Sequence, residues 1–194
     1  MKSHKEDRDL NKINEDQELI LAIKRGEREK FGLLVERYQQ KIYRFLRKMG
    51  LDHDEAADIM QNTFVLAYRN LSSVKSDKRF SSWLFTIAAN QARNYFRKIS
   101  RHRQVPLDEA GSLAVEEERN RHVERWQLRK KLNEVLDRLP DKQRQVVVLR
   151  VFEQMPFDEV ARICDMGKSN AKVTYHRAIK KLAGWLGPSL ADIT

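Results

Sequence analysis

Apolar residues along this chain recur at intervals of three and four with polar residues between them, the period of helices that bury one face. A short helix is predicted over residues 16–25, stopped by Gly26. From about Glu27 to Met49, a stripe of Phe31, Leu34, Val35, Tyr38, Ile42, Phe45 and Leu46 predicts a long second helix ending at Gly50, because glycine accepts the left-handed turn that closes many helices. A third helix is predicted from Asp52 to Asn70, with Ala56, Met60, Phe64, Ala67 and Leu71 as its apolar line. Acidic residues stand at its start, where the helix dipole favours them. The polar loop Ser72–Arg79 then leads into a fourth helix, Phe80 to Ile99.

The pattern breaks after this. From Asn90 to Pro106 the chain carries Arg93, Arg97, Lys98, Arg101 and Arg103 and no acid, whereas Asp108 to Glu118 holds five carboxylates and no base. Such a reversal, with Pro106 and Gly111 inside it, reads as an interdomain linker. Beyond it Leu128, Leu132, Val135, Leu136 and Leu139 make another amphipathic helix, ended by Pro140. Val146-Val147-Val148-Leu149 with Val151 and Phe152 would pass for a buried strand, but its helical setting and the lack of a partner strand make it helix. The prediction is an all-α chain of two small helical domains: a mobile tail over 1–15, a helical bundle over 16–99, a flexible linker over 100–122, a second helical domain over 123–187 and a tail over 188–194.

The second domain closes on the stretch Met155–Leu186, read as two helices joined by a tight turn at Asp165-Met166-Gly167. In the second of them Ala171, Tyr175, Ala178, Leu182 and Trp185 are predicted to face inward. Ser169, Lys172, His176 and Lys180 lie nearly opposite, flanked by Arg177 and Lys181, and no acidic residue occurs from Lys168 to Leu186. A scaffold helix, a turn and a basic second helix fit a helix-turn-helix that reads the DNA major groove. A solvated basic face on an ordinary bundle helix is the alternative.

Net charge strengthens the first reading. At +10 and a pI near 9.8, the chain favours a polyanion, whether DNA, RNA or an anionic membrane. Hydrophobic residues make up 41%, enough for compact cores, yet no apolar run approaches the roughly 20 residues that span a bilayer, and the first residues lack a signal-peptide core. A single cysteine, Cys164, excludes an internal disulfide and fits a reducing, cytoplasmic setting; it is read as a small residue inside the helix-turn-helix. His4, His53, His102 and His122 show no metal-ligand spacing, and no nucleophile is paired with a base. No catalytic residue, metal, cofactor or small-molecule substrate is therefore expected.

On the fourth helix Trp83, Ile87, Asn90, Asn94 and Arg97 are spaced 4, 3, 4 and 3 and share one face. Amides and a guanidinium so placed can bond base edges and phosphates, and the indole can stack on an unpaired base. Equally, Trp83 and Ile87 can be core with the amides lining its rim. Spacing alone leaves both readings open.

Several segments together resemble one family. They are Asp54-Glu-Ala-Ala-Asp-Ile-Met-Gln-Asn-Thr-Phe64, Phe80-Ser-Ser-Trp-Leu-Phe-Thr-Ile-Ala-Ala-Asn90 continuing to Asn94 and Arg97, Leu139-Pro-Asp-Lys-Gln-Arg144, Val148-Leu-Arg150, Glu159-Val-Ala161 and His176-Arg-Ala178. In order and spacing the chain resembles, from about residue 17 to 186, the extracytoplasmic-function (ECF) sigma factors of bacterial RNA polymerase. The resemblance implies two helical domains, σ2 and σ4, and an initiation subunit without catalysis. Asp58, Gln61, Asn62 and Phe64 would dock on the β′ clamp helices of core RNA polymerase, and σ4 would meet the β flap. Trp83, Asn90, Asn94, Arg97 and Lys98, beside the loop Ser72–Arg79, would recognise and open the −10 element. Lys168, Ser169, Asn170, Lys172, Val173, His176 and Arg177 would read the −35 element of promoter DNA. It also implies an acidic linker in the RNA path and an anti-sigma factor as a further partner. Asn62 where the family often has Glu, Pro156 for the usual Ser, and Gly167-Lys168-Ser169-Asn170 with Val173 and Thr174 depart from the common pattern. A stand-alone helix-turn-helix regulator is the second reading; the N-terminal half, which resembles core-binding and −10 helices, speaks against it.

Overall fold

A computed structural model of the protein describes residues 15–74, 80–102 and 131–186, as helices, turns and loops without a strand. The predicted tails beyond these limits, loop residues 75–79, the linker past residue 102 and the start of the second domain up to residue 130 lie outside the described residues. Helix α1 covers 15–24. After a 3-10 turn at Arg28–Lys30 come α2 (Phe31–Lys48), α3 (His53–Arg69), a second 3-10 turn at Leu71–Ser73 and α4 (Phe80–His102). Helix α5 covers 131–137, followed by α6 (Asp141–Val147), α7 (Phe157–Ile163) and α8 (Lys168–Leu186).

The ends follow from local chemistry. Gly26 and Gly50 adopt φ of 115° and 94° at the ends of α1 and α2. At the start of α3 the Asp52 carboxylate accepts from the Glu55 N–H at 2.8 Å, and the Glu55 side chain accepts from the Asp52 N–H at 2.9 Å. This reciprocal pair satisfies two N–H groups that the first turn leaves without helical partners. Asp52→Ala is therefore expected to cost about 1 kcal/mol, seen as a lower urea midpoint with an unchanged slope.

The predicted stripe of α2 is the core: Leu34, Tyr38, Ile42, Phe45 and Leu46 are buried. Phe45 meets Phe85 of α4 edge to face at 5.2 Å, and Tyr38 meets Phe80 at 5.5 Å. Burial pushes the Tyr38 hydroxyl well above its ordinary range, which keeps it protonated as a donor to Asp16. Arg37 donates to the same carboxylate at 2.6 Å, so these two bonds hold α1 on α2.

The strand-like run is helical. α6 passes into one π turn, Val148–Phe152, and Val146, Val147, Val148 and Leu149 are all buried. A helix enclosed on all sides has no polar face to interrupt its apolar run. One expectation about the last helix needs correction. Trp185 is 38% exposed; α8 overhangs the bundle there, and Leu186 packs against the core instead. Within the predicted turn the left-handed residue is Asp165, φ 52°; aspartate tolerates this conformation better than most side chains.

The two halves share one core. A single cluster runs from Ile20, Phe45, Phe85 and Ala89 to Val148, Leu149, Val160, Ile163 and Ala171. A smaller cluster of Val135, Leu136, Leu139, Val147, Ala178 and Leu182 joins α5, α6 and α8.

Candidate nucleic-acid interface

Helix α4 presents the first polar face. Trp83 and Ile87 are half-buried and packed on the core, Trp83 with its ring 5.8 Å from Phe80. The same two residues line an open groove of about 390 Å³ together with Leu66, Asn70, Asn90, Gln91 and Asn94. Trp83 and Ile87 thus belong to the core with amides at its rim, and they also floor the groove those amides line. Asn90, Asn94, Arg97 and Lys98 are exposed. The Asn90 side-chain oxygen accepts from Arg93. Sequence reasoning missed Leu66 and Asn70, contributed by α3 and its C-cap; they reach the groove only through the packing of α3 on α4.

Helix α8 presents the second. Lys168, Ser169, Asn170, Lys172, Val173, His176 and Arg177 are all exposed, while Ala171, Ala178 and Leu182 are buried. Tyr175 fixes the helix by an edge-to-face contact with Phe157 of α7 at 5.5 Å, and the Arg150 guanidinium covers the other side of that region, 4.8 Å from the Phe157 ring. The Lys168 ammonium is paired with Asp158 at 2.9 Å. At 1.5 Å per residue α8 is about 28 Å long, so only its first turns fit a major groove about 12 Å wide. The named residues lie there.

The third face is on α3. Asp58, Gln61 and Asn62 are exposed at i, i+3 and i+4. Phe64 is not part of it: it is 7% exposed and packs edge to face on Phe31 at 6.5 Å, because its position turns it toward α2. Val65, which sequence reasoning missed, is 48% exposed and stands at i+7 from Asp58. That spacing was the available signal.

Cys164, at the C-terminal end of α7, is buried. Burial pushes its thiol up to about 12, with Arg93 and Lys142 pulling it back down. A thiol so protonated is a poor nucleophile; native protein at pH 8 is expected to react with Ellman's reagent at least a hundredfold more slowly than urea-unfolded protein, measured by absorbance. Among the described residues no group of three or more His, Cys, Asp or Glu side chains could hold a metal ion, and no helix is long and apolar enough to cross a membrane.

The family model of sigma-70 region 2 matches residues 34–102, and that of sigma-70 region 4 matches residues 129–182. The chain belongs to the ECF sigma factors of RNA polymerase. Its three exposed faces fall within those two regions, on α3 and α4 in the first and on α8 in the second. Among curated relatives, the RNA polymerase sigma-H factor of Pseudomonas aeruginosa is 28% identical over 172 residues, 82% of this chain and 88% of that one. The ECF RNA polymerase sigma-E factor of Escherichia coli (strain K12) is 28% identical over 174 residues, 84% of this chain and 90% of that one. Among solved structures, CnrH in complex with the cytosolic domain of CnrY aligns with a TM-score of 0.68 at 25% identity, covering 88% of this chain and 96% of that one. RpoE in complex with the anti-sigma factor NepR, from Bartonella quintana, shares the fold with a TM-score of 0.68 at 21% identity, covering 81% and 97%. This sigma factor directs core RNA polymerase to promoters.

Proposed function

We propose that the work is divided by region: residues 16–99 carry polymerase docking and −10 recognition and melting, 100–122 link, and 123–187 carry −35 recognition. What carries this reading is the presence of separate exposed faces on α3, α4 and α8. On α3, Asp58, Gln61, Asn62 and Val65 dock on the β′ clamp helices. In the α4 groove, Trp83 and Ile87 give an apolar floor for an unstacked base, and Asn90, Asn94, Arg97 and Lys98 hold bases and phosphates beside it. Unstacking costs a few kcal/mol, offset by those new contacts. On α8, Lys172, Val173, His176 and Arg177 read base edges, with Lys168, Ser169 and Asn170 nearer the backbone; the second domain also meets the β flap. The chain does no catalysis of its own and acts in the cytoplasm with the polymerase. An anti-sigma factor is proposed as a further partner, because a chain of the same fold has been solved with one.

The test is reconstitution with purified core polymerase. Val65→Asp places a charge in an apolar contact and is expected to weaken core binding at least tenfold in a fluorescence titration, with an unchanged circular dichroism spectrum. Wild-type protein that fails to associate with core polymerase would overturn the docking assignment altogether.

A further inference from the structure

Helix α1 is tied to its neighbours at both ends of one face. Asp16, Ile20 and Lys24 fall at i, i+4 and i+8, a single line along the helix. Asp16 is buried and accepts from Arg37 and Tyr38 of α2, and Ile20 belongs to the core. At the other end Lys24 is exposed, yet its ammonium donates to the Val74 carbonyl at 2.8 Å, in a partly buried bond across 50 positions of sequence.

Val74 ends the segment that carries the chain away from the α4 groove. Leu66 and Asn70 line that groove, and Asn70 both caps α3 at its C-terminal end and opens the 3-10 turn Leu71–Ser73. Val74 follows in extended backbone, φ −69° and ψ 118°, with its N–H returned to the Leu71 carbonyl at 3.1 Å. Outside a helix its own carbonyl needs a donor from elsewhere. Lys24 supplies one, in a charge-assisted bond that is stronger than a neutral one. Leu71 and Val74 are buried, which seats the turn, and the ammonium adds the direction that apolar burial lacks. The chain's return is tied to the same helix: Phe80 packs on Tyr38, whose hydroxyl donates to Asp16. Both flanks of residues 75–79 thus lead back to α1.

We propose that Lys24 is a positioning residue for −10 recognition: by holding the Val74 carbonyl it sets where Leu66 and Asn70 stand against Trp83, Ile87, Asn90 and Asn94. The inference rests on the reading above that an unstacked base enters the α4 groove. Its effect is on fit. N–H···O bonds run from about 2.7 to 3.2 Å, so a groove wall displaced by about 1 Å loses its bonds to a base edge. Loss of Lys24 therefore blunts the choice of base at the −10 element, whereas a lysine that served stability alone would weaken all promoters alike.

The test uses the full chain with purified core polymerase and a promoter set carrying each single-base change across the −10 and −35 elements. Lys24→Met keeps an apolar stem and removes the donor; Lys24→Arg keeps a donor. At the most discriminating −10 position, Lys24→Met is expected to lose about tenfold of the wild-type preference between best and worst base, the order of one base contact. Its core binding and its −35 profile are expected to match wild type, and Lys24→Arg to recover most of the lost preference. An unchanged −10 profile for Lys24→Met, or a loss shared equally with the −35 positions, overturns the positioning role. So does an arginine variant no better than the methionine one. Asn94→Ala separates this inference from the reading beneath it. If Asn94→Ala alters the −10 profile and Lys24→Met does not, only the positioning role falls; if neither does, the groove does not hold the base and both fall.

Discussion

Replacing Arg144 with methionine should lower the free energy of unfolding by about 3–5 kcal/mol, through the backbone carbonyls it leaves without a donor. Arg144 is 8% exposed and donates to three backbone carbonyls, those of Leu136 at 2.9 Å, Asp137 at 2.6 Å and Met49 at 2.8 Å. The first two belong to the end of α5, whose last carbonyls have no helical partner. Its pairing with the Asp137 carboxylate at 3.3 Å adds little, since that side chain is 58% exposed and solvent screens it. The loss comes instead from buried acceptors left without a donor, each costing about 1–3 kcal/mol. Arg144→Lys should recover only a minor part, because one ammonium cannot serve three carbonyls that a planar fork reaches together. Urea unfolding of the three proteins checks this; a loss below about 1 kcal/mol for the methionine variant would mean that water replaces the guanidinium freely.

Arg144 also marks the limit of what could be read from the residues in order. Helices were legible wherever one face was polar: α2 and α3 start and stop within a few residues of their predicted limits, and the Asp52–Glu55 box was visible as acids at a helix start. The run Val146–Leu149 was legible only through its neighbours, since a stretch in which every residue is buried carries no period. Phe64 was misassigned because an aromatic within a recognisable motif looks the same whether it faces a partner or the core; only the position of α2 decides. Trp185 was misassigned because periodicity does not say where a helix runs past its bundle. The union of the two halves in one core was not legible at all. Ser82 and Glu159, which hydrogen-bond across it, are 77 positions apart, and neither departs from an ordinary polar residue near a helix start. The residues of the α8 face, by contrast, were all legible, because a helix with one buried stripe exposes everything else.

That exposure makes the α8 face the place where function and stability separate most cleanly. Lys172→Ala combined with Arg177→Ala should reduce transcription from −35-dependent promoters by roughly tenfold to a thousandfold, since each lost base contact costs about 1–3 kcal/mol. Both side chains are exposed, so unfolding should change by no more than about 0.5 kcal/mol, and binding to core polymerase should be unaltered. Salt dependence then assigns each residue its role. If one contacts phosphate, its single substitution weakens all promoters alike and lowers the salt slope by about one; if it reads a base edge, the loss is confined to promoters that carry that base. Promoter-directed transcription over a salt series, run beside a core-binding titration, gives both readouts. Core binding that falls in step with transcription would mean that α8 serves the polymerase contact as well, and the division of labour between the two regions would have to be abandoned.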